Sequence, residues 1–173
     1  MNNDINVKWE ELAKRNNWNL SVSDGRPYFM KDGNYVTPSS TTSQQDKEEL
    51  ATIISEESSE LARLIVACWD NGFKISGPCS GITDAHTNAP FYLHFAVIAP
   101  AAIAEDLHSE LSGCFPNFSH MLRGSENDEI RYDISYHFKN GKGLTVIESN
   151  AIFSVMNEKL ELVLDKKKKA PIR

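Results

Sequence analysis

The stretch "EIRYDISYHF" (residues 129–138) alternates apolar and polar side chains along its length. Successive side chains of a β-strand point to opposite faces, so this alternation predicts a strand with one buried and one polar face. One face would carry Tyr132, Ile134, Tyr136 and Phe138, and the other Arg131, Asp133, Ser135 and His137. We therefore expect a sheet with a core on one side and polar groups on the other.

Neighbouring stretches extend this sheet. "NFSHMLR" (117–123) lies before it across the acidic turn "GSENDE" (124–129), which predicts an antiparallel pair. "PFYLHFAVI" (90–98) has the length and composition of a strand, and shorter strands are expected at 73–76 and 144–147.

Apolar residues at three- and four-residue steps predict helices between these strands. The longest spans 44–70 after a cap at Thr42 or Ser43, and two others span 100–113 and 149–166. Short connections within each strand pair favour antiparallel pairing. The predicted fold class is α+β: a mainly antiparallel sheet with helices packed on one face, built from two α-β-β units plus a terminal helix.

The same patterns divide the chain into three parts. Residues 1–37 combine a helix with a β-meander, whose turns are marked by Asp24-Gly25 and Asp32-Gly33-Asn34. Residues 44–166 would form a single α+β domain on which this unit packs. Residues 167–173 are expected to be a basic flexible tail, because blocks of like charge are usually disordered.

Charge restricts the partners. The 173-residue chain has 18 basic and 24 acidic residues and a net charge of −6. Five of the basic residues lie in "KKKKAPIR" (166–173), which leaves 13 basic against 24 acidic residues elsewhere. An acidic body repels a phosphate backbone, so we expect no non-specific DNA binding. No apolar run has the length of a membrane span and no signal peptide is recognisable, which predicts a cytoplasmic protein without a membrane partner.

The three cysteines, Cys68, Cys79 and Cys114, are an odd number without C-x-x-C spacing, so we expect reduced thiols. Two loose pairs, Cys79 with His86 and Cys114 with His120, have spacings that match no tight chelate. No metal site is predicted.

The segment "ISGPCSG" (75–81) is the candidate site. Its glycines permit a sharp turn and leave backbone amides exposed, and such amides can hold an anion or an oxyanion. Cys79 would be an accessible, reactive thiol, with His86 as its base. We assign Cys79 and His86 as candidate catalytic residues, and Gly77, Ser80 and Gly81 as ligand-binding residues. A tight turn with Cys79 packed inside explains the same sequence.

A second candidate is the polar face of the sheet. His94 lies on the polar side of its strand and would share that face with Arg131, Asp133 and His137. These four side chains could bind a ligand or a partner, although a solvated antiparallel sheet gives the same pattern.

The stretch from "LARLIVACWDNGFKISGPCSG" (61–81) to "PFYLHFAVI" (90–98) places a helix, a Gly-aromatic step, a Cys-Ser-Gly loop and a strand in succession. In this order it resembles the wybutosine-synthesising tRNA methyltransferases that act third in their pathway, and small phage and Firmicute proteins. The resemblance covers about a quarter of the chain. It implies that Cys79, Ser80 and Gly81 belong to the site and that the function lies in RNA modification.

Two functions are consistent with these patterns. The first is the binding of a small anionic or nucleotide-like ligand at the Cys-Ser-Gly loop, in RNA modification. The second is non-enzymatic docking of a basic protein partner, as an immunity, inhibitor or phage accessory protein, through the "GSENDEIRYD" hairpin and the helical glutamates Glu56, Glu57 and Glu60. A solvated helix face explains the same glutamates. The sequence specifies neither a reaction nor a cofactor.

Overall fold

The computed structural model describes residues 3–23, 25–83, 92–124, 127–138 and 142–170. Five helices and seven strands lie within these ranges. In chain order they are α1 (Asn3–Asn16), β1 (Asn19–Ser23), β2 (Arg26–Lys31), β3 (Asn34–Tyr35), α2 (Gln44–Ile54), α3 (Ser59–Asp70), β4 (Lys74–Ser80), β5 (Tyr92–Pro100), α4 (Ala101–Cys114), β6 (Ser119–Gly124), β7 (Glu129–His137) and α5 (Val146–Lys169).

A four-stranded antiparallel sheet in the order β4-β5-β7-β6 forms the centre of the fold. The apolar faces of β5 and β7 are buried beneath α3, α4 and α5. The side chains that meet in this core include Leu64, Cys68, Phe95, Val97, Leu107, Leu111, Tyr132, Met156 and Leu160. The predicted α+β class is confirmed.

The first 37 residues form the expected helix and β-meander. Strands β1, β2 and β3 make a second antiparallel sheet in that order. Trp18 packs edge-on against Phe29, with ring centroids 6.2 Å apart, and both side chains are buried. Arg15 of α1 binds Asp46 of α2 at 2.8 Å, which joins this unit to the helices that follow.

The predicted helix over 44–70 is wrong as one element, because it breaks into α2 and α3. Ser43 caps α2 as expected, accepting a hydrogen bond from the backbone N–H of Asp46. Ser58 caps α3 and accepts from Leu61 in the same way. The second cap stops the first helix, because serine side chains compete for backbone N–H groups at helix starts.

Three boundaries differ from the sequence-based prediction. Strand β4 continues through Ser80, so the cysteine segment lies within the strand. The strand expected at 144–147 reduces to one parallel bridge between Leu144 and Ile82. Helix α5 begins at Val146, after a Thr145 capping box, and extends through Lys169, so that three lysines assigned to the tail lie in its last turn.

None of the helices in the described ranges combines the length and the apolar character that crossing a membrane requires.

Ser58 joins α3 to α5. Its hydroxyl accepts from Leu61 N–H and donates to Asn150 Oδ1 at 2.9 Å, and the side chain is buried. We expect Ser58→Ala to lower the free energy of unfolding by about 2 kcal/mol, because it removes a cap and a buried hydrogen bond. Ser43→Ala, at an exposed cap, is the matched control and should cost about 1 kcal/mol. Urea denaturation measures both, and equal losses would contradict the role of Asn150.

Candidate functional site

A cavity of about 340 Å³ lies between the β-meander, α2 and the outer edge of β4. This volume is within the range of small-molecule sites. Its aromatic wall consists of Trp9, Tyr28, Phe29, Tyr35 and Tyr92, and its aliphatic wall includes Val36, Leu50, Ile53, Ile54 and Ile75. Arg26, Glu56 and Glu57 form its polar end, beside Gly77 and Pro78. The cavity therefore combines apolar walls with a charged end.

Arg26 is the first residue of β2. It directly follows Gly25, whose φ of 77° lies in the left-handed region that tight turns use. Its Nη2 donates to Glu56 Oε1 at 2.6 Å and to the carbonyl oxygen of Pro78 at 3.0 Å. The guanidinium lies 5.9 Å from the Tyr28 ring centroid, in a cation–π arrangement. In the described part of the chain, its Nε and Nη1 groups donate to no carboxylate or backbone carbonyl. Arg26 thus presents further donors at the cavity.

Glu56 reaches the cavity because of an unusual backbone turn. Glu56 and Glu57 both have positive φ angles, 53° and 71°, between α2 and α3. Non-glycine residues in this region cost about 1 kcal/mol or more each and persist where surrounding contacts fix them. The Ser58 cap and the Arg26 contact are such contacts here. The Glu56 side chain is 8% exposed, so its expected place on a solvent-facing helix is wrong.

Burial raises the pKa of Glu56 from 4.5 to about 7, although the Arg26 charge and a hydrogen bond with the Cys79 thiol act to lower it. The folded state therefore holds this proton more tightly than the unfolded state. Its contribution to stability is fully present below about pH 4.5 and is lost as the pH rises through 7. Glu56 is thus a buried carboxyl group that titrates near neutrality.

Cys79 is not the accessible thiol that the sequence predicts. It is 2% exposed, and its Sγ lies 3.2 Å from the Tyr92 carbonyl oxygen. Burial, together with the nearby Glu56 charge, raises the pKa of the thiol to about 11. A thiol in this state has little thiolate character, so the geometry does not support a nucleophilic Cys79. The exposed cysteine is Cys114.

Ser80 and Gly81 hold the end of β4 in place. The Ser80 side chain accepts from Ile82 N–H, and its carbonyl accepts from the Ser149 hydroxyl at 2.8 Å. A Cβ at Gly81 would lie 3.2 Å from the Leu93 side chain, and the φ of 74° also favours glycine. Both residues are buried, whereas Gly77 lines the cavity. His86 lies outside the described residues, so its expected role as a base stays a prediction.

The polar sheet face contains a connected ion-pair cluster. The Arg131 guanidinium donates to both Asp133 carboxylate oxygens, at 2.8 and 2.9 Å. His94 Nε2 lies 2.9 Å from Asp133 Oδ1, and its Nδ1 lies 2.7 Å from the Gly77 carbonyl oxygen. Burial alone would raise the pKa of Asp133, but the hydrogen bonds from Arg131 and His94 hold it below its usual value. The structure brings these three predicted residues together.

His137 lies apart from that cluster and stacks on Tyr92, with ring centroids 5.6 Å apart. Tyr92 also lines the cavity, so the polar sheet face and the cavity meet at this residue. Within the described ranges, no three His, Cys, Asp or Glu side chains are grouped as metal ligands would be.

Comparison of the chain with models of protein families, with curated proteins and with solved structures finds no match. The expected resemblance to the wybutosine-synthesising methyltransferases therefore stays a prediction.

Arg26 was not among the predicted site residues, and Glu56 was predicted only as an exposed residue for docking a basic partner. A signal for Glu56 was present in "SEESS" (55–59), because serines on both sides of two glutamates favour a helix break with a new N-cap. No local signal identifies Arg26 as its partner.

Thiol reactivity tests this arrangement. We expect a limiting amount of N-ethylmaleimide to label Cys114 at least about ten times faster than Cys79 or Cys68 in the native protein, because buried thiols react only on opening. Mass spectrometry after brief labelling measures this, and labelling in urea is the control in which all three react. Labelling of Cys79 at the rate of Cys114 would contradict its burial.

Proposed function

We propose that this protein binds a small aromatic ligand with a negatively charged group in the cavity formed by the β-meander, α2 and β4. The observation that carries the proposal is an aromatic-lined cavity of about 340 Å³ with the Arg26–Glu56 pair at its polar end. Sites for small ligands commonly combine apolar walls with a few fixed polar groups.

The walls favour a planar ligand. The rings of Tyr28, Tyr35 and Tyr92 line the cavity and could stack on a planar ligand. The ring centroids of Tyr28 and Tyr35 lie 6.4 Å apart. Stacking on aromatic side chains stabilises planar rings beyond the burial of their area. Tyr35 is 47% exposed, so it stands at the mouth of the cavity and lets a ligand enter.

Arg26 favours a negative group on that ligand. A guanidinium offers five donors to carboxylates and other oxyanions. Nη2 is engaged by Glu56 and Pro78, and the Tyr92 hydroxyl is a further partner, so the ligand would bind through Nη1 or Nε. The Arg26 side chain is 21% exposed, so an anion would exchange little water for strong charge-assisted hydrogen bonds. The proposed ligand is anionic, like the anionic or nucleotide-like ligand predicted from the sequence. Its proposed site is the cavity and not the Cys79 thiol.

The docking hypothesis has less support from the structure. Of its expected acidic residues, Glu56 faces the cavity, Glu60 accepts from the Asn157 side chain, and Glu129 contacts Lys74. Such contacts reduce the charge that these side chains offer to a basic partner. A role in RNA modification likewise stays a prediction from the resemblance.

Ligand screening tests the proposal. We expect naphthalene-2-carboxylate and related aromatic anions to raise the melting temperature and to quench Trp9, the tryptophan that lines the cavity. A ligand at about 100 times its Kd stabilises the folded state by about 2.7 kcal/mol. Neutral and cationic analogues, naphthalene-2-methanol and naphthalene-2-methylamine, should bind at least about tenfold more weakly, because they forgo the charge-assisted contact with Arg26.

Two arginine variants separate this site from a general charge effect. Arg26→Gln should lower the affinity for the aromatic anion by about tenfold or more, because it removes the guanidinium at the cavity. Arg63→Gln removes an exposed arginine that pairs with Glu161 on the helical side, and it should leave the affinity unchanged. Equal binding by Arg26→Gln and the wild type, or no stabilisation by any aromatic anion, would overturn the proposal.

A further inference from the structure

The Arg26–Glu56 contact imposes a condition on any anion that enters the cavity. Glu56 Oε1 lies 2.6 Å from Arg26 Nη2, and both side chains are mostly buried. An anion bound to Nη1 or Nε of the same guanidinium would bring a second negative charge close to the Glu56 carboxylate. Like charges in a poorly solvated site cannot both remain ionised without a large cost, and the usual response is that one takes up a proton.

Glu56 is the group that can take up this proton. The titratable or charged groups that face it are Arg26 from β2, Cys79 from β4 and Tyr92 from β5. An arginine side chain stays charged in proteins. Burial raises the pKa of the Cys79 thiol and of the Tyr92 hydroxyl, so both already carry their protons at neutral pH. Glu57, the next residue, also lines the cavity, but its side chain is exposed, so a second negative charge is most costly at the buried Glu56.

We propose that the cavity binds an aromatic carboxylate together with one proton, which Glu56 takes up from solvent as the ligand carboxylate joins Arg26. The bound state then contains one guanidinium charge, one ligand charge and a neutral Glu56, so that the charges balance. A monoanion fits this balance, whereas a phosphate dianion leaves an excess negative charge. This inference rests on the proposed function and narrows its ligand class to monocarboxylates.

The pKa of Glu56 supports the same conclusion. At about 7 in the empty site, it leaves Glu56 largely ionised at pH 8 and largely protonated at pH 5.5. Binding should therefore take up close to one proton at pH 8 and almost none at pH 5.5, with affinity falling by up to tenfold for each pH unit above 7.

Isothermal titration calorimetry measures this proton uptake directly. The probe is naphthalene-2-carboxylate, titrated at pH 8 in two buffers with different ionisation enthalpies, because the difference in heat gives the number of protons taken up. We expect about one proton for the wild type and for Glu161→Gln, a control at an exposed carboxylate outside the cavity. Glu56→Gln should take up none, and its affinity should be independent of pH between about 6 and 8.5, because its amide does not titrate.

The outcomes separate the inference from the proposed function. If the wild type binds the probe through Arg26 with no proton uptake at pH 8, the coupling is overturned while the binding site stands. Proton uptake that persists in Glu56→Gln overturns the assignment to Glu56. If 2-naphthyl phosphate binds at pH 8 as tightly as the carboxylate, the restriction to monoanions is wrong. If no aromatic anion binds the wild type, both proposals fail. The wild-type measurement decides the coupling even if a variant does not fold.

Discussion

The contact between Arg26 and Glu56 connects three parts of the fold that are distant in sequence. Arg26 begins β2, Glu56 lies in the turn between α2 and α3, and the same guanidinium nitrogen binds the Pro78 carbonyl in β4. Two opposite charges buried together are stable only when hydrogen bonds satisfy them, so the position of each element constrains the others. These three elements border the cavity, and its aromatic side chains come from α1, β2, β3 and β5.

The irregular part of β4 is held from both sides. Its register shifts between Ser76 and Cys79, which exposes two consecutive carbonyl groups. The Gly77 carbonyl lies 2.7 Å from His94 Nδ1, and the Pro78 carbonyl accepts from Arg26. Asp133 and Arg131 orient His94 in turn. The ion-pair cluster and the cavity therefore share this irregular part of β4 as a wall. A structural change at one of them would shift the Gly77 and Pro78 backbone that also borders the other.

The sheet could be predicted from sequence because its signal is local. The alternation in 129–138 and 90–98 places His94 and Asp133 on one face, and the structure joins them at 2.9 Å. The cavity could not be predicted, since Arg26 and Glu56 are 30 positions apart and Arg26 and Pro78 are 52 apart. Cys79 was misplaced for a related reason: Gly77 and Gly81 mark a bulge and a strand end, which look like an open loop until the partner strand is known.

A carbon-13 NMR titration of the Glu56 side-chain carboxyl group in the ligand-free protein shows whether this buried group titrates near neutrality. The signal is assigned by its loss in Glu56→Gln. We expect a midpoint near pH 7, because burial outweighs the attraction of Arg26. A midpoint near the ordinary value of 4.5 would contradict it, since anion binding would then have to raise this pKa by more than about three units before Glu56 held a proton at pH 8.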